Sequence, residues 1–222
     1  MTNLSIWVTS KCNLSCKWCV AKYTKELYKD YEMPIEEIND IVNSCKRRNL
    51  YFDVIDLTGG EPSLWTNIRE GVKLFGEISD EVILTTNGNN PSLIKSLGLK
   101  TIILSSSQST ADQLKEYGDT NMKIYYNAHQ HKKPPIQPVP NSLPAICSRL
   151  TYMDGRPQRK YIYVKGNVYE CCCLLNLGDK IDIKESAICD FEDDFITKLN
   201  NIDFNDIKCS YCLSNLNVWN AL

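Results

Sequence analysis

Three cysteines near the amino terminus have the spacing of a metal-binding loop. Cys12, Cys16 and Cys19 place three thiols within eight residues, and thiolates are favoured ligands of iron–sulfur clusters and of zinc. Three protein ligands on a four-iron cluster leave the fourth iron with an open coordination position, which is typical of a reactive metal centre. The alternative reading of this spacing is a structural zinc site with a distant fourth ligand.

A second motif, Gly59-Gly60-Glu61-Pro62, follows a strand-like run. Two glycines at a strand end permit close backbone approach, and the Glu61 carboxylate would offer an acceptor to an ammonium group. Alone, a Gly-Gly pair is most typical of a turn. In this order, at the ends of the first two predicted strands, the two motifs are hard to obtain by chance.

Cysteines spaced three and then two residues apart, with the aromatic Trp18 just before the last, resemble the signature of the radical S-adenosylmethionine (radical SAM) superfamily. The resemblance implies that Cys12, Cys16 and Cys19 hold a 4Fe–4S cluster, and that its free iron is chelated by S-adenosylmethionine. It also implies that an electron from an external donor, such as a flavodoxin or ferredoxin, releases a 5′-deoxyadenosyl radical that abstracts a hydrogen atom.

The resemblance further implies a set of cofactor contacts at the carboxyl ends of the strands. Trp18 would lie near the adenine, and the Gly-Gly-Glu-Pro motif would contact the methionine amino group. Residues after strands four and five would reach the ribose or the methionine carboxylate, although each of them is as easily an ordinary loop residue. The expected contacts are Trp18, Gly59, Gly60, Glu61, Pro62, Ser105, Ser107 and Asn127.

The elements that must position these residues alternate between strand-like and helix-like runs. Strands are predicted over 4–8, 51–57, 82–86, 100–104 and 122–126, and helices over 35–45, 68–75, 91–97 and 111–117. This alternation predicts an α/β fold with a parallel sheet. Because a full eight-fold barrel needs about 250 residues, we expect an open, partial β/α barrel over residues 1–140.

A smaller cysteine-rich extension is expected over residues 141–222. Residues 132–144 hold five of the nine prolines and read as a connector. Beyond it, strand-like runs over 161–165 and 168–172 flank Gly166-Asn167, a strong hairpin signal. A helix is predicted over 191–199.

The cysteines of this extension resemble the SPASM and twitch extensions that hold auxiliary 4Fe–4S clusters. Because no cysteine follows Cys212, the one-cluster twitch form fits better. The expected ligands are Cys147, Cys171, Cys209 and Cys212, with Cys172, Cys173 or Cys189 as replacements for Cys171. A structural zinc site is the alternative for this group, and Cys45 on an apolar helical face is expected to be a core residue.

An auxiliary cluster held fully by protein would accept an electron from a substrate radical. We therefore expect an oxidoreductase performing a net two-electron oxidation of a small polar metabolite or a short peptide. The base is unknown; the candidate residues are Asp154, Arg149 and Arg156, with His129 and His131 nearby. Because Cys12 comes so early, no amino-terminal peptide-recognition domain is expected. The competing classes are a cross-linking peptide maturase, a nucleoside- or nucleic-acid-modifying enzyme, and a non-catalytic metal module.

The composition of the chain limits the cellular compartment and the binding partners that we expect for it. Eleven cysteines with no basic-then-apolar leader indicate a reducing, cytoplasmic location in which thiols bind metal. No run approaches the roughly 18 apolar residues of a membrane span. The formal net charge of −2 gives no overall field that attracts nucleic acid.

Overall fold

The computed structural model describes residues 2–16, 19, 21–105, 122–126, 150–153, 156–169 and 189–191. Within these residues the helices are α1 (Lys22–Leu27), α2 (Ile35–Arg47), α3 (Ile68–Phe75) and α4 (Pro91–Ser96), with a 3₁₀ helix at Pro62–Leu64. The strands are β1 (Thr2–Thr9), β2 (Phe52–Gly59), β3 (Ser79–Thr86), β4 (Thr101–Leu104), β5 (Lys123–Tyr126), β6 (Leu150–Met153), β7 (Arg156–Val164), β8 (Asn167–Tyr169) and β9 (Cys189–Asp190).

The described strands form one open, mostly parallel sheet, which confirms the predicted fold class. Its order is β5-β4-β3-β2-β1-β7-β8-β9, and β6 pairs with β7. Strands β1 to β5 are parallel to their neighbours. The carboxyl ends of these strands therefore meet along one edge, where the functional site of such a sheet lies.

One face of the sheet carries the main hydrophobic core. Leu4, Ile6 and Val8 of β1 and Leu57 of β2 are fully buried there. Helices α2 and α3 cover this face, and Cys45 of α2 is 0% exposed, as predicted for a core cysteine. Alternation along each strand sends the intervening side chains to the opposite face.

That opposite face is polar near its centre. Asp56 of β2 is buried and accepts hydrogen bonds from the hydroxyls of Ser5 at 3.1 Å and Thr85 at 2.7 Å. These bonds cross from β1 to β2 to β3. They compensate the carboxylate for the water that it loses on burial.

The hairpin of the extension is present, but its turn differs from the prediction by one residue. Lys165 and Gly166 have φ values of 46° and 84° and form the turn, whereas Asn167 pairs with Val164 at the start of β8. A two-residue turn with positive φ at both positions follows the right-handed twist of the strands. The predicted helix does not include Phe191, which lies in a turn after β9.

The hairpin joins the main sheet directly, because β7 runs parallel to β1 with Leu4 opposite Tyr161. Tyr163 of β7 donates a hydrogen bond from its hydroxyl to Glu37 of α2 at 2.6 Å. The Phe191 ring meets the Tyr163 ring edge-on at 5.3 Å, and the Arg48 guanidinium lies 5.0 Å from the Phe191 centroid. The division at residue 140 stays a prediction, as does the helix over 111–117, which lies outside the described residues.

Across the described part of the chain, the helices are too short or too polar for any of them to cross a membrane.

Candidate functional site

The cluster loop, defined as residues 10–19, leaves the carboxyl end of β1 and leads into α1. The Ser10 backbone N–H donates to the Tyr31 carbonyl at 2.8 Å, and the Lys11 N–H donates to the Thr9 hydroxyl at 3.1 Å. The Cys19 N–H donates to the Cys16 carbonyl at 3.3 Å, which turns the chain towards α1. Backbone hydrogen bonds therefore hold both ends of the loop.

The three thiols of this loop are half-buried, and they lie close enough for electrostatic interactions between them. Burial raises the pKa of the Cys12 thiol; the Leu14 N–H and Lys25 oppose this rise, and Glu61 and Cys19 add to it. Burial raises the pKa of the Cys16 thiol as well, followed by repulsion from Cys19 and Cys12. Binding of a cationic iron core would displace the protons of these thiols and would offset the repulsion between the thiolates that form.

Among the described residues, no three His, Cys, Asp or Glu side chains converge as ligands of a single metal ion. The thiolates that hold a cubane bind separate irons, so a loop suited to a 4Fe–4S cluster does not have to present its sulfurs to one point. The residue types and spacing therefore fit the cluster that the sequence predicts.

The Gly-Gly-Glu-Pro motif packs against the first residues of the cluster loop. The Gly60 N–H donates to the Thr9 carbonyl at 2.6 Å, and the Glu61 N–H donates to the Lys11 carbonyl at 2.7 Å. A Cβ atom added to Gly59 would lie 2.4 Å from the Thr9 oxygen, and one added to Gly60 would lie 2.2 Å from the Lys11 oxygen. In this structure the glycines serve the close approach of β2 to the chain's own cluster loop.

The Glu61 carboxylate is only 1% exposed and is held by three donors of the chain. Its Oε1 accepts from the Ser63 N–H at 3.0 Å and from the Thr86 hydroxyl at 2.6 Å. Its Oε2 accepts from the Asn87 N–H at 2.6 Å. A carboxylate has about four acceptor positions, so most of its capacity fixes the sheet edge, and its predicted bond to an ammonium stays a prediction.

Three asparagines join the cluster loop to the end of β3. The side-chain nitrogen of Asn13 donates to Asn89 Oδ1 at 2.7 Å, and the side-chain nitrogen of Asn87 donates to Asn13 Oδ1 at 2.9 Å. The Asn89 backbone N–H donates to Asn87 Oδ1 at 3.0 Å. Sequence reasoning missed this group, because no local pattern pairs positions that lie more than 70 residues apart.

Three buried serine hydroxyls lie at this edge of the sheet. Ser10 follows β1, Ser63 follows the Gly-Gly-Glu motif, and Ser105 follows β4, where its N–H donates to the Thr86 carbonyl at 2.7 Å. Within the described part of the chain, their Oγ atoms are buried and have no hydrogen-bond partner. Buried polar atoms normally have partners, so a polar ligand bound at this edge would satisfy these hydroxyls, and the cofactor contact of Ser105 stays a prediction.

A cavity of about 540 Å³ opens beside the cluster loop. Its volume is in the range of small-molecule sites. Its lining residues are Ser10, Lys11, Ser15, Cys16, Cys19, Lys22, Lys25, Glu26, Lys29 and Asp30. Among the described lining residues there are four lysines, of which Lys11 is paired with Glu32, and two acidic residues, so this wall favours ligands that carry negative groups.

Residues 31–33, in the segment after α1, are bonded to the end of β1 and to the start of the cluster loop. The Met33 N–H donates to the Val8 carbonyl at 2.8 Å, and Lys11 forms an ion pair with Glu32 at 2.6 Å. The Trp65 indole N–H donates to the Met33 carbonyl at 2.8 Å. This segment therefore ties the end of β1 to the 3₁₀ helix that follows the Gly-Gly-Glu motif.

Several predicted site residues have no described side chain. Arg156 lies in β7 and Cys189 in β9, and at these two positions the structure describes the backbone alone. The predicted residues outside the described part are Trp18, Ser107, Asn127, His129, His131, Cys147, Arg149, Asp154, Cys171, Cys172, Cys173, Cys209 and Cys212.

Comparison with known proteins identifies the class. The model of the radical SAM superfamily matches residues 6–130, which include the second half of β1, the cluster loop, the Gly-Gly-Glu-Pro motif and β2 to β5. The match covers more than half of the chain. The chain belongs to the radical SAM superfamily, as its cysteine spacing predicted.

Curated relatives match part of this region. The chain is 32% identical over 120 residues to a GTP 3′,8-cyclase of Clostridium perfringens (strain SM101 / Type A), covering 51% of this chain and 36% of the relative. It is 34% identical over 80 residues to a 7-carboxy-7-deazaguanine synthase of Thermoplasma acidophilum, covering 36% of this chain and 35% of that enzyme. The chain thus spans about a third of the length of these relatives.

Solved structures share the fold of this chain. The crystal structure of BtrN in complex with AdoMet and 2-DOIA matches with a TM-score of 0.60 and 16% identity, covering 95% of this chain and 87% of that one. The structure of hexahistidine-tagged anSMEcpe with bound AdoMet matches with a TM-score of 0.56 and 14% identity, covering 96% and 83%. At these identities the similarity concerns the fold.

Proposed function

We propose that the cluster loop holds a 4Fe–4S cluster through Cys12, Cys16 and Cys19, and that S-adenosylmethionine binds beside it at the carboxyl edge of the sheet. When bound, the reduced cluster would supply the one electron that splits S-adenosylmethionine, so that the substrate loses a hydrogen atom and methionine and 5′-deoxyadenosine are released. The observation that carries the proposal is a loop of three half-buried thiols braced by the Gly-Gly-Glu-Pro motif.

The chain's own residues would bind and orient the cofactor. Ser10, Ser63 and Ser105 each present a buried hydroxyl that has no hydrogen-bond partner among the described residues, and such a hydroxyl gains a hydrogen bond when a polar ligand arrives. Membership of the superfamily and the fold shared with two AdoMet-bound structures support this role. Trp18, Ser107 and Asn127 complete the proposed contacts.

For the substrate, we propose a small polar metabolite or short peptide that undergoes a net two-electron oxidation. An auxiliary 4Fe–4S cluster on Cys147, Cys171, Cys209 and Cys212 would accept the second electron. The cysteine content of residues 141–222 supports this reading.

A nucleotide substrate is the second candidate. The named relatives, GTP 3′,8-cyclase and 7-carboxy-7-deazaguanine synthase, favour it, and so do the lysines beside the cluster loop. Lys11, Lys22, Lys25 and Lys29 line one cavity with Cys16 and Cys19, and lysine binds phosphate groups well. The phosphates of such a substrate would bind to this wall.

Anaerobic reconstitution tests the cofactor chemistry. We expect the full chain to take up iron and sulfide, and to release 5′-deoxyadenosine when given dithionite and S-adenosylmethionine. Cys16→Ala should abolish this release, whereas Cys45→Ala, which removes a thiol from the core of α2, should retain it. A wild-type chain that binds zinc in place of iron, or that releases no 5′-deoxyadenosine, would refute the proposal.

The substrate classes separate in the same assay. Mass spectrometry of reactions with nucleoside triphosphates, and with pools of polar metabolites and peptides, identifies the product class. Formation of a product from the nucleotides, in an amount that Lys25→Gln lowers, would favour the nucleotide substrate and rule against the oxidation of a small metabolite.

A further inference from the structure

We infer that Asn13, Asn87 and Asn89 are positioning residues that fix the cluster loop to the end of β3. The three side chains are called the amide clasp below. The inference deepens the proposed function and rests on it, since a fixed loop matters most if the loop carries the cluster. Its evidence is separate, because it consists of hydrogen bonds within the polypeptide.

Asn13 lies between two of the three thiols, and both polar atoms of its amide are used. Its nitrogen donates to Asn89 at 2.7 Å, and its oxygen accepts from Asn87 at 2.9 Å. A side-chain amide that both donates and accepts is fixed in orientation as well as in position. The loop is therefore held at a defined angle to β3.

Among the described residues, the clasp is the hydrogen-bonded connection between residues 12–16 of the loop and the rest of the molecule. Within the described part of the chain, Asn13 is the only residue of 12–16 that forms a hydrogen bond outside the cluster loop. The Leu14 N–H, by comparison, bonds to the Cys12 sulfur at 3.4 Å inside the loop. Loss of the clasp would therefore release Cys12 and Cys16 together.

The clasp also connects the cluster loop with the Gly-Gly-Glu-Pro motif. The Asn87 N–H bonds to Glu61, and the Glu61 N–H bonds to the Lys11 carbonyl at the start of the same loop. These hydrogen bonds lead from Lys11 through Glu61 and Asn87 to Asn13. The backbone of the cluster loop joins Asn13 to Lys11 and so completes a ring. A closed set of hydrogen bonds holds the two motifs in one arrangement, so the loop is formed before a cluster binds.

Thiol labelling of the cluster-free full chain measures this positioning directly. Iodoacetamide labelling of Cys12 and Cys16 reports opening of the loop, and labelling of the fully buried Cys45 reports global unfolding in the same sample. Asn89→Ala should label Cys12 and Cys16 about fivefold faster, the effect of losing one net hydrogen bond, with Cys45 unchanged. Asn89→Asp keeps the Oδ1 acceptor for Asn13 and should label at the wild-type rate.

Two further variants sharpen the test. The double variant Asn13→Ala/Asn89→Ala should label no faster than Asn13→Ala, because both changes remove the same bond. Asn90→Ala removes a neighbouring side-chain bond, to the Leu93 N–H at 3.1 Å, without touching Asn13. It should leave labelling of Cys12 and Cys16 unchanged.

The loaded protein gives a second readout. Asn89→Ala should lose iron to a chelator faster than the wild type, and Asn89→Asp should not. Wild-type labelling rates in Asn89→Ala, or equal acceleration at Cys45 and Cys12, would overturn the inference. Because labelling is measured without a cluster, a wild-type chain that takes up no iron would refute the proposed function and leave the labelling result to decide on the clasp.

Discussion

The Glu61 carboxylate and the Asn87 backbone N–H are joined at 2.6 Å, which links the end of β2 to the end of β3. Thr86 and Ser63 donate to the same carboxylate. A motif identified for its possible contact with a ligand therefore also builds the sheet edge at which the ligand would bind. Changes in the motif should affect the stability of the cluster-free chain.

Glu61→Gln should lower the free energy of unfolding of that chain. An amide has one oxygen, so its NH₂ group would face a donor that Glu61 now satisfies. Since hydrogen bonds to a charged group contribute about 1.5–3 kcal/mol each, we expect a loss of about 2–3 kcal/mol in urea unfolding. Glu77→Gln, in an exposed pair with Lys46, is the matched control and should change stability little. Equal effects of the two changes would contradict this account of Glu61.

Gly60→Ala should destabilise the chain through steric overlap. The added Cβ would meet the Lys11 carbonyl at 2.2 Å, so the cluster loop would have to move away from β2. Overpacking of this kind costs about 1–3 kcal/mol, and faster labelling of Cys12 should accompany it. Gly76→Ala, at an ordinary helical φ of −63°, should change stability by less than about 1 kcal/mol. Wild-type stability of Gly60→Ala would show that the loop adapts freely.

Tyr31 and Tyr163 should make the fold sensitive to alkaline pH. Both hydroxyls donate to Glu37, at 3.0 Å and 2.6 Å. Burial first, and Glu37 second, raise the pKa of both phenols above the ordinary value of 10.0. Because the folded pKa is raised, this stability is present below pH 10 and is lost as the pH rises above it, by about 1.4 kcal/mol per unit for each tyrosine.

Urea unfolding at a series of alkaline pH values checks this expectation. The double variant Tyr31→Phe/Tyr163→Phe should lose stability less steeply than the wild type above pH 10. Tyr51→Phe is the control: desolvation and the neighbouring Asp80 raise the pKa of this phenol too, but its side chain is 57% exposed, so the change should alter the slope less than the double variant does. Identical slopes for all three proteins would exclude a role of the two buried phenols.

The proposed auxiliary cluster predicts a specific iron content. After reconstitution, the wild-type chain should hold the iron and sulfide of two 4Fe–4S clusters, as measured by elemental analysis and Mössbauer spectroscopy. Cys209→Ala should remove one of them and keep the cluster of Cys12, Cys16 and Cys19. A single cluster that is insensitive to Cys209→Ala would end the auxiliary-cluster proposal.

Local sequence patterns were sufficient for β1 to β5 and for α2 to α4, because apolar periodicity and strand-end glycines are local signals. Helix α1 has no side-chain cap and spans six residues, so its sequence carried no clear start signal. The pairing of β7 with β1 places Leu4 opposite Tyr161, and the clasp joins Asn13 to Asn89. Neither contact is encoded within a short window, so both required the folded chain.

Because β7 follows β1 by about 150 residues in the chain and pairs with it, the sheet cannot be completed until late in synthesis. Until residue 164 has left the ribosome, one side of β1 has no ladder partner, and an unpaired strand edge is a template for pairing with another chain. A protein shortened before β7 should therefore self-associate through its first strand, directly beside the cysteines. Such aggregation would result from the unpaired edge of β1 and would not be evidence about metal binding by the cysteines.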